Sequence, residues 1–178
     1  EALVAAAREA RPRELELCVR AIGLAGGVPE DAVEPWREHA DAAVGITAEV
    51  ARLRLGKRGE EVLALLGEVV RDTGTTSRAA IDELCVEIAV GDHALAAARH
   101  LGRALRRGRG DRASRINAYA ALIRVVDDVR EQRSAELSLL RADLLELARE
   151  RVEQGASKIA PPEALTSLMR MPVSTDGD

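Results

Sequence analysis

From Ile81 to Leu147 apolar residues return at alternating steps of three and four, a spacing that puts them on one stripe of an α-helix and on no face of a strand. The first run is Ile81, Leu84, Ile88, Gly91, Leu95, Ala98, Gly102 and Leu105. The second is Ile116, Tyr119, Ile123 and Val126, then Arg130 and Arg133, then Leu137, Leu140, Leu144 and Leu147. Between them lies the turn Arg106-Arg107-Gly108-Arg109-Gly110-Asp111-Arg112. The pattern predicts two long helices folded into an antiparallel hairpin with a strongly positive tip. The first runs unbroken from about Ser77 to Leu105 and the second from about Arg112 to Glu153, roughly 60 Å at 1.5 Å per residue. Gly91, Ala98 and Gly102 are the small residues expected to let a partner helix approach.

The rest of the chain reads as shorter helices. Pro12 suits the first turn of a helix that Gly26-Gly27 ends near Ala25. Pro29 opens a second segment through about Ala43, which Pro35 kinks or divides. Thr47 is the expected N-cap of a third unit carrying Val50, Leu53, Leu63, Leu66 and Val70. That unit is one weak helix to about Arg71 or, preferably, two helices broken at Gly56 and Gly59. Thr73 to Ser77 is a boundary rich in hydroxyls. The expected fold is all-α: a helical bundle dominated by the long hairpin (77–153) beside a short-helix N-terminal part (1–72). Together they form a single helical domain over 1–155, with a partly mobile tail over 156–178.

Composition supports helices and narrows recognition. The chain has 178 residues, enough for one domain, with no Phe, one Trp and one Tyr. Its Ala- and Leu-rich apolar set favours helix and leaves little aromatic surface on which bases could stack. Cys18 and Cys85 are too few and too far apart for a disulfide framework and read as small hydrophobes of a reducing compartment. No run of about 18 apolar residues suggests a membrane span, and the first ten residues do not resemble a signal peptide. A cytoplasmic protein without membrane association is the expectation, its opening Glu in place of Met pointing to a trimmed start.

The net charge of −4 hides a polar distribution. Acids outnumber bases about two to one through Glu49, whereas Arg99, Arg103, Arg106, Arg107, Arg109, Arg112 and Arg115 share their interval with Asp111 and no other acid beyond it. Arg99, Arg103 and Arg106 fall on one helix face, so these seven arginines are the candidate polyanion-binding residues. Arginines also complement a helix C-terminus, which needs no ligand.

A candidate oligomer seam comprises Arg130, Arg133, Leu137, Leu140, Leu144 and Leu147. Its two arginines form a polar layer that sets register against partner carboxylates, or they mark where one buried face gives way to a rotated one.

Catalytic patterns fail on inspection. Asp127-Asp128-Val129-Arg130-Glu131 has the outline of a magnesium-gathering acidic motif but lacks a second acidic cluster. His93 and His100 stand two helical turns apart, too far for one zinc ion in the manner of HExxH. Gly108-Arg109-Gly110 follows a helix and lacks the P-loop lysine. Ser114 and Ser134 have no nucleophile-elbow context. Arg109-Gly110-Asp111 reads as a turn and N-cap. No catalytic, cofactor-binding or metal-binding residue is assigned.

Two functions follow as expectations. The first is a non-enzymatic assembly or adaptor protein that forms a homo-oligomer, or joins a helical protein partner, through coiled-coil-like seams. The second is a nucleic-acid-binding assembly factor, of the kind found as small subunits of DNA-packaging machines, presenting the Arg99–Arg115 surface. A helical-bundle enzyme working across a subunit interface is a third reading and has no motif to support it.

Overall fold

The computed structural model describes residues 1–72, 76–90 and 92–128, with the side chains of 76, 77, 123 and 126–128 left aside. Every regular element among the described residues is helical. The α-helices are α1 (Ala2–Glu9), α2 (Pro12–Ala25), α3 (Ala42–Leu55), α4 (Gly59–Val69), α5 (Thr76–Val90), α6 (Ala94–Arg106) and α7 (Arg112–Asp128), and a 3-10 helix covers Glu30–Trp36. The all-α class is therefore as the periodicity predicts. None of these helices is long and apolar enough to cross a membrane.

Local chemistry explains most boundaries. Pro12 opens α2, where Glu14 reaches back to accept the Arg11 N–H at 3.3 Å, and Gly26 (φ 65°) closes it in the left-handed region. The expected break at Gly56 and Gly59 is present: α3 ends at Leu55 and α4 begins at Gly59. Lys57, at φ 57°, makes the turn, and the Arg58 N–H returns to the Leu53 carbonyl at 2.9 Å. Gly108 (φ 70°) ends α6 in the same way, with the Arg109 N–H on the Ala104 carbonyl at 3.0 Å. Asp111 then caps α7, its Oδ1 accepting the Ser114 N–H at 2.8 Å.

Several expectations are corrected. The helix predicted as continuous from about Ser77 to Leu105 ends at Val90 and restarts at Ala94, and its two halves, α5 and α6, pack against each other. α7 packs on both, so residues 76–128 form three mutually packed helices where two antiparallel arms were expected. The three-four spacing survives this break because a buried stripe reads the same whether its helix is continuous or folded. Gly102 does not mediate close packing, since a Cβ there would meet open space. In α7 the buried stripe is Ala118, Tyr119, Leu122 and Val125, with Ile116 only half-buried.

Nearer the N-terminus, Thr47 is no cap: Asp41 starts α3 by accepting the Ala43 N–H at 2.9 Å, and Thr47 is buried one turn inside. The segment from Pro29 to Ala43 is a 3-10 helix around Pro35 followed by a turn, a conformation in which the missing proline N–H costs less than in an α-helix. α1 was not anticipated; its short Ala-rich run has propensity but only a narrow apolar stripe, with Ala7 buried. Residues 129–178, including the rest of the expected long helix and the tail, lie outside the described residues.

Among the described residues, two apolar clusters form the interior. One gathers Ala7, Leu15, Val19, Ile22, Val33, Trp36, Val44, Ala48 and Ala51 from α1, α2, the 3-10 helix and α3. The other joins Val50 and Leu53 of α3 to α4, α5, α6 and α7 around Leu66, Ile81, Leu84, Leu101, Leu105 and Leu122. α3 contributes to both. Its approach to α2 is set by Gly23, where a Cβ would stand 2.7 Å from the Ala51 Cα.

A chain of ion pairs, buried around Glu83, links α2, α3 and α5. Glu83 of α5, with its side chain fully buried, accepts from Arg20 Nε at 2.6 Å and from Arg54 Nη1 at 2.7 Å. Arg54 also holds Glu87 through Nε (2.8 Å) and Nη2 (2.6 Å). Glu16 accepts from Arg20 (3.1 Å) and Arg78 (2.7 Å), and Arg78 reaches Asp82 at 3.2 Å. Such a network makes helix register specific, because any slip leaves a buried charge without its partner. Burial raises the Asp82 carboxyl above its ordinary pKa, against the opposing pull of its hydrogen bond with Ser114 and the charge of Arg78.

Candidate anion-binding site

The site lies where α4 and α6 end side by side. α6 leans on α4 at two glycines: a Cβ at Gly59 would stand 2.6 Å from His93 Nε2, and one at Gly67 would stand 2.5 Å from His100 Cε1. His93, just before α6, and His100 within it thus rest in two notches of α4. Beyond Gly67 the helices frame a cleft of about 340 Å³, with Val70 and Ala104 as its apolar lining and Arg71, His100, Arg103 and Arg107 as its polar one.

Each cationic group arrives for a local reason. Arg103 lies in the last turn of α6 and Arg107 is its C-cap residue, where positive side chains offset the exposed carbonyls of the helix end. Arg71 follows α4 directly; its Nε donates to the Gly67 carbonyl at 3.1 Å, and its Nη2 stands 3.9 Å from the exposed carboxylate of Glu68. Neither Arg103 nor Arg107 has an ion pair among the described residues. His100 is held below its ordinary pKa by burial and then by the charges of Arg103 and Arg71, so it is uncharged at neutral pH.

The seven arginines singled out from sequence are only partly brought together. Arg103 and Arg107 line the cleft; Arg99 and Arg106 belong to α6, while Arg112 and Arg115 belong to α7. Arg109 lies in the intervening turn and its Nη2 approaches the Arg71 carbonyl at 3.5 Å. The Nε atoms of Arg109 and Arg115 are buried without an acceptor among the described residues. Arg71 and His100 were missed as members of the site. Arg71 belongs to a different stretch of sequence, and only the docking of α6 on Gly67 carries it to Arg103. The candidate seam of Arg130, Arg133, Leu137, Leu140, Leu144 and Leu147 lies outside the described residues.

Groups with catalytic or metal-binding character are placed as follows. Among the described residues no three His, Cys, Asp or Glu side chains stand close enough to share a metal ion. Ser114 is buried and hydrogen-bonded with Asp82. Burial, reinforced by Asp82, pushes the Cys85 thiol up to about 12, which leaves it almost wholly protonated and a poor nucleophile. Cys18 and Cys85 are both free thiols. No family model, curated protein or solved structure matches this chain.

Proposed function

We propose that this protein is a non-catalytic binding module that engages a phosphate-rich polyanion, nucleic acid foremost, through the basic end formed by α4, α6 and the start of α7. The observation that carries this reading is the convergence of Arg71, Arg103 and Arg107 on one cleft, with no carboxylate paired to Arg103 or Arg107 among the described residues. Offsetting two helix ends needs about one positive charge in all, since each C-terminus carries roughly −0.5. Three arginines exceed that.

The side chains of Arg103, Arg106, Arg107 and Arg112 are exposed, so positive groups continue from the cleft into the turn before α7, where phosphates can reach them. Among the described residues close to the cleft in sequence, Glu68, Asp72 and Asp111 supply negative charge. The scarcity of aromatic residues favours contact with phosphates over stacking on bases, hence binding with little sequence preference. Assembly through the 130–147 seam remains a companion proposal, resting on the heptad spacing alone.

The test is retention of duplex DNA as a function of salt, in the full chain and in an Arg103→Glu, Arg106→Glu double variant. Affinity that falls steeply between about 50 and 200 mM salt, and disappears in the variant at unchanged solution mass, is the expected result. Retention that survives the double substitution refutes the reading. Competition by poly-glutamate more effective than by unrelated DNA identifies an acidic protein surface as the partner instead.

A further inference from the structure

The cleft between the ends of α4 and α6 is distinct from the exposed arginines beside it. It is a recess of about 340 Å³, floored by the Gly67 notch in which His100 sits. That volume is at the lower end of the range for small-ligand sites, enough for a phosphate with part of a sugar and too small to thread a polymer. Its charge balance is also particular. Arg71, Arg103 and Arg107 bring three positive charges, and the ends of α4 and α6 together offset about one. About two remain, or about one when the exposed Glu68 carboxylate 3.9 Å from Arg71 is counted in full. A backbone phosphodiester carries a single negative charge, whereas a phosphate monoester carries about −1.5 to −2 at neutral pH.

We infer that this cleft is a discrete site for a terminal phosphate monoester, the phosphorylated end of a nucleic-acid strand, with the neighbouring arginines following the diesters that lead away from it. The inference rests on the polyanion reading above and adds to it an end-recognising pocket. Arg103 and Arg107 have no competing carboxylate among the described residues, so they are available to form charge-assisted, fork-like contacts with the three terminal oxygens. Arg71 is held in place through its Nε on the Gly67 carbonyl, with Nη2 3.9 Å from the exposed Glu68 carboxylate, which leaves Nη1 for the ligand. His100, uncharged at neutral pH, adds one N–H donor without adding to the repulsion among the three guanidinium groups.

The experiment compares one short DNA duplex bearing a phosphate at its 5′ ends, at its 3′ ends, or hydroxyls only. Each is titrated against the full chain and against an Arg103→Gln, Arg107→Gln variant whose thermal unfolding is checked in parallel. The expected result is affinity at least about tenfold higher for a phosphate-terminated duplex, competition by inorganic phosphate, and loss of the preference in the folded variant. Equal binding of all three duplexes overturns the terminal-phosphate site and leaves the backbone reading standing. A preference that persists in the variant overturns the assignment of this cleft. Failure of every duplex to bind overturns both readings, and binding of a phosphoserine peptide in their place moves the partner to phosphorylated protein.

Discussion

His100 stands directly over Gly67, its Cε1 2.5 Å from the point a Cβ would occupy, so the absence of one side chain on α4 decides where the imidazole of α6 rests. Gly23 does the same for α2 and α3, but there the obstructed atom is the Ala51 Cα at 2.7 Å. Both glycines are in the last turn of a helix, where alanine would otherwise be favoured by up to about 1 kcal/mol.

The two positions are expected to respond differently to alanine. Gly23→Ala forces backbone apart and costs about 1–3 kcal/mol, read as a lowered urea midpoint. Gly67→Ala displaces only a side chain, so its stability stays near that of the parent while His100, less buried, titrates closer to its ordinary pKa. The imidazole carbon and proton shifts in an NMR pH titration check this.

Glu83→Ala removes the carboxylate shared by Arg20 and Arg54 and leaves their guanidinium groups short of a buried partner. A loss of about 3–5 kcal/mol is expected in denaturant unfolding. Glu61→Ala, which deletes an exposed carboxylate 3.6 Å from Arg58, leaves the midpoint essentially unmoved. Similar losses at both positions would mean that the buried network adds nothing beyond ordinary surface pairing.

Asp82 and His100 act on stability in opposite directions as pH changes. The folded-state pKa of Asp82 is raised, so the folded chain keeps this proton longer than the unfolded chain. Its contribution is whole below the unfolded carboxyl pKa of about 4 and is lost as pH rises through the folded value. The pKa of His100 is lowered, so its penalty is absent above about pH 6.5 and grows as pH falls toward the folded value. Unfolding measured across pH should therefore show Asp82→Asn gaining on the parent as pH rises, and His100→Gln gaining as pH falls.

Cys85 should resist alkylation. With its thiol pushed up to about 12, the thiolate fraction at neutral pH is minute. Iodoacetamide is expected to modify the Cys85 peptide at a rate that rises steeply only when denaturant unfolds the chain, as followed by mass spectrometry. Rapid labelling in the native protein would contradict the raised thiol pKa that the partial burial of Cys85 imposes.

Much of the helical layout is legible in single residues. Pro12, Gly26 and Gly108 act through backbone preferences that operate within a turn, and Asp111 caps the helix that follows it. The arginine cluster is legible as composition. Its concave part is not, because the Arg71–Arg103 relationship needs α6 to dock on Gly67. The ionic network has a faint signature in the sequence: Glu16 and Arg20, Arg78 and Asp82, and Glu83 and Glu87 are each four apart. Such pairs look the same in sequence whether they face water or a neighbouring helix.

The sequence by itself determined that this chain is helical, where several helices begin and end, and that positive charge gathers between Arg99 and Arg115, since all three depend on interactions within a few residues. Tertiary structure decided that the apolar run from Ile81 to Leu105 folds on itself after Val90, that Glu83 joins Arg20 to Arg54, and that Arg71 meets His100, Arg103 and Arg107 in one cleft. Those outcomes turn on which helix faces pack together, and the energy that selects them comes from buried area and paired charges contributed by segments distant in sequence.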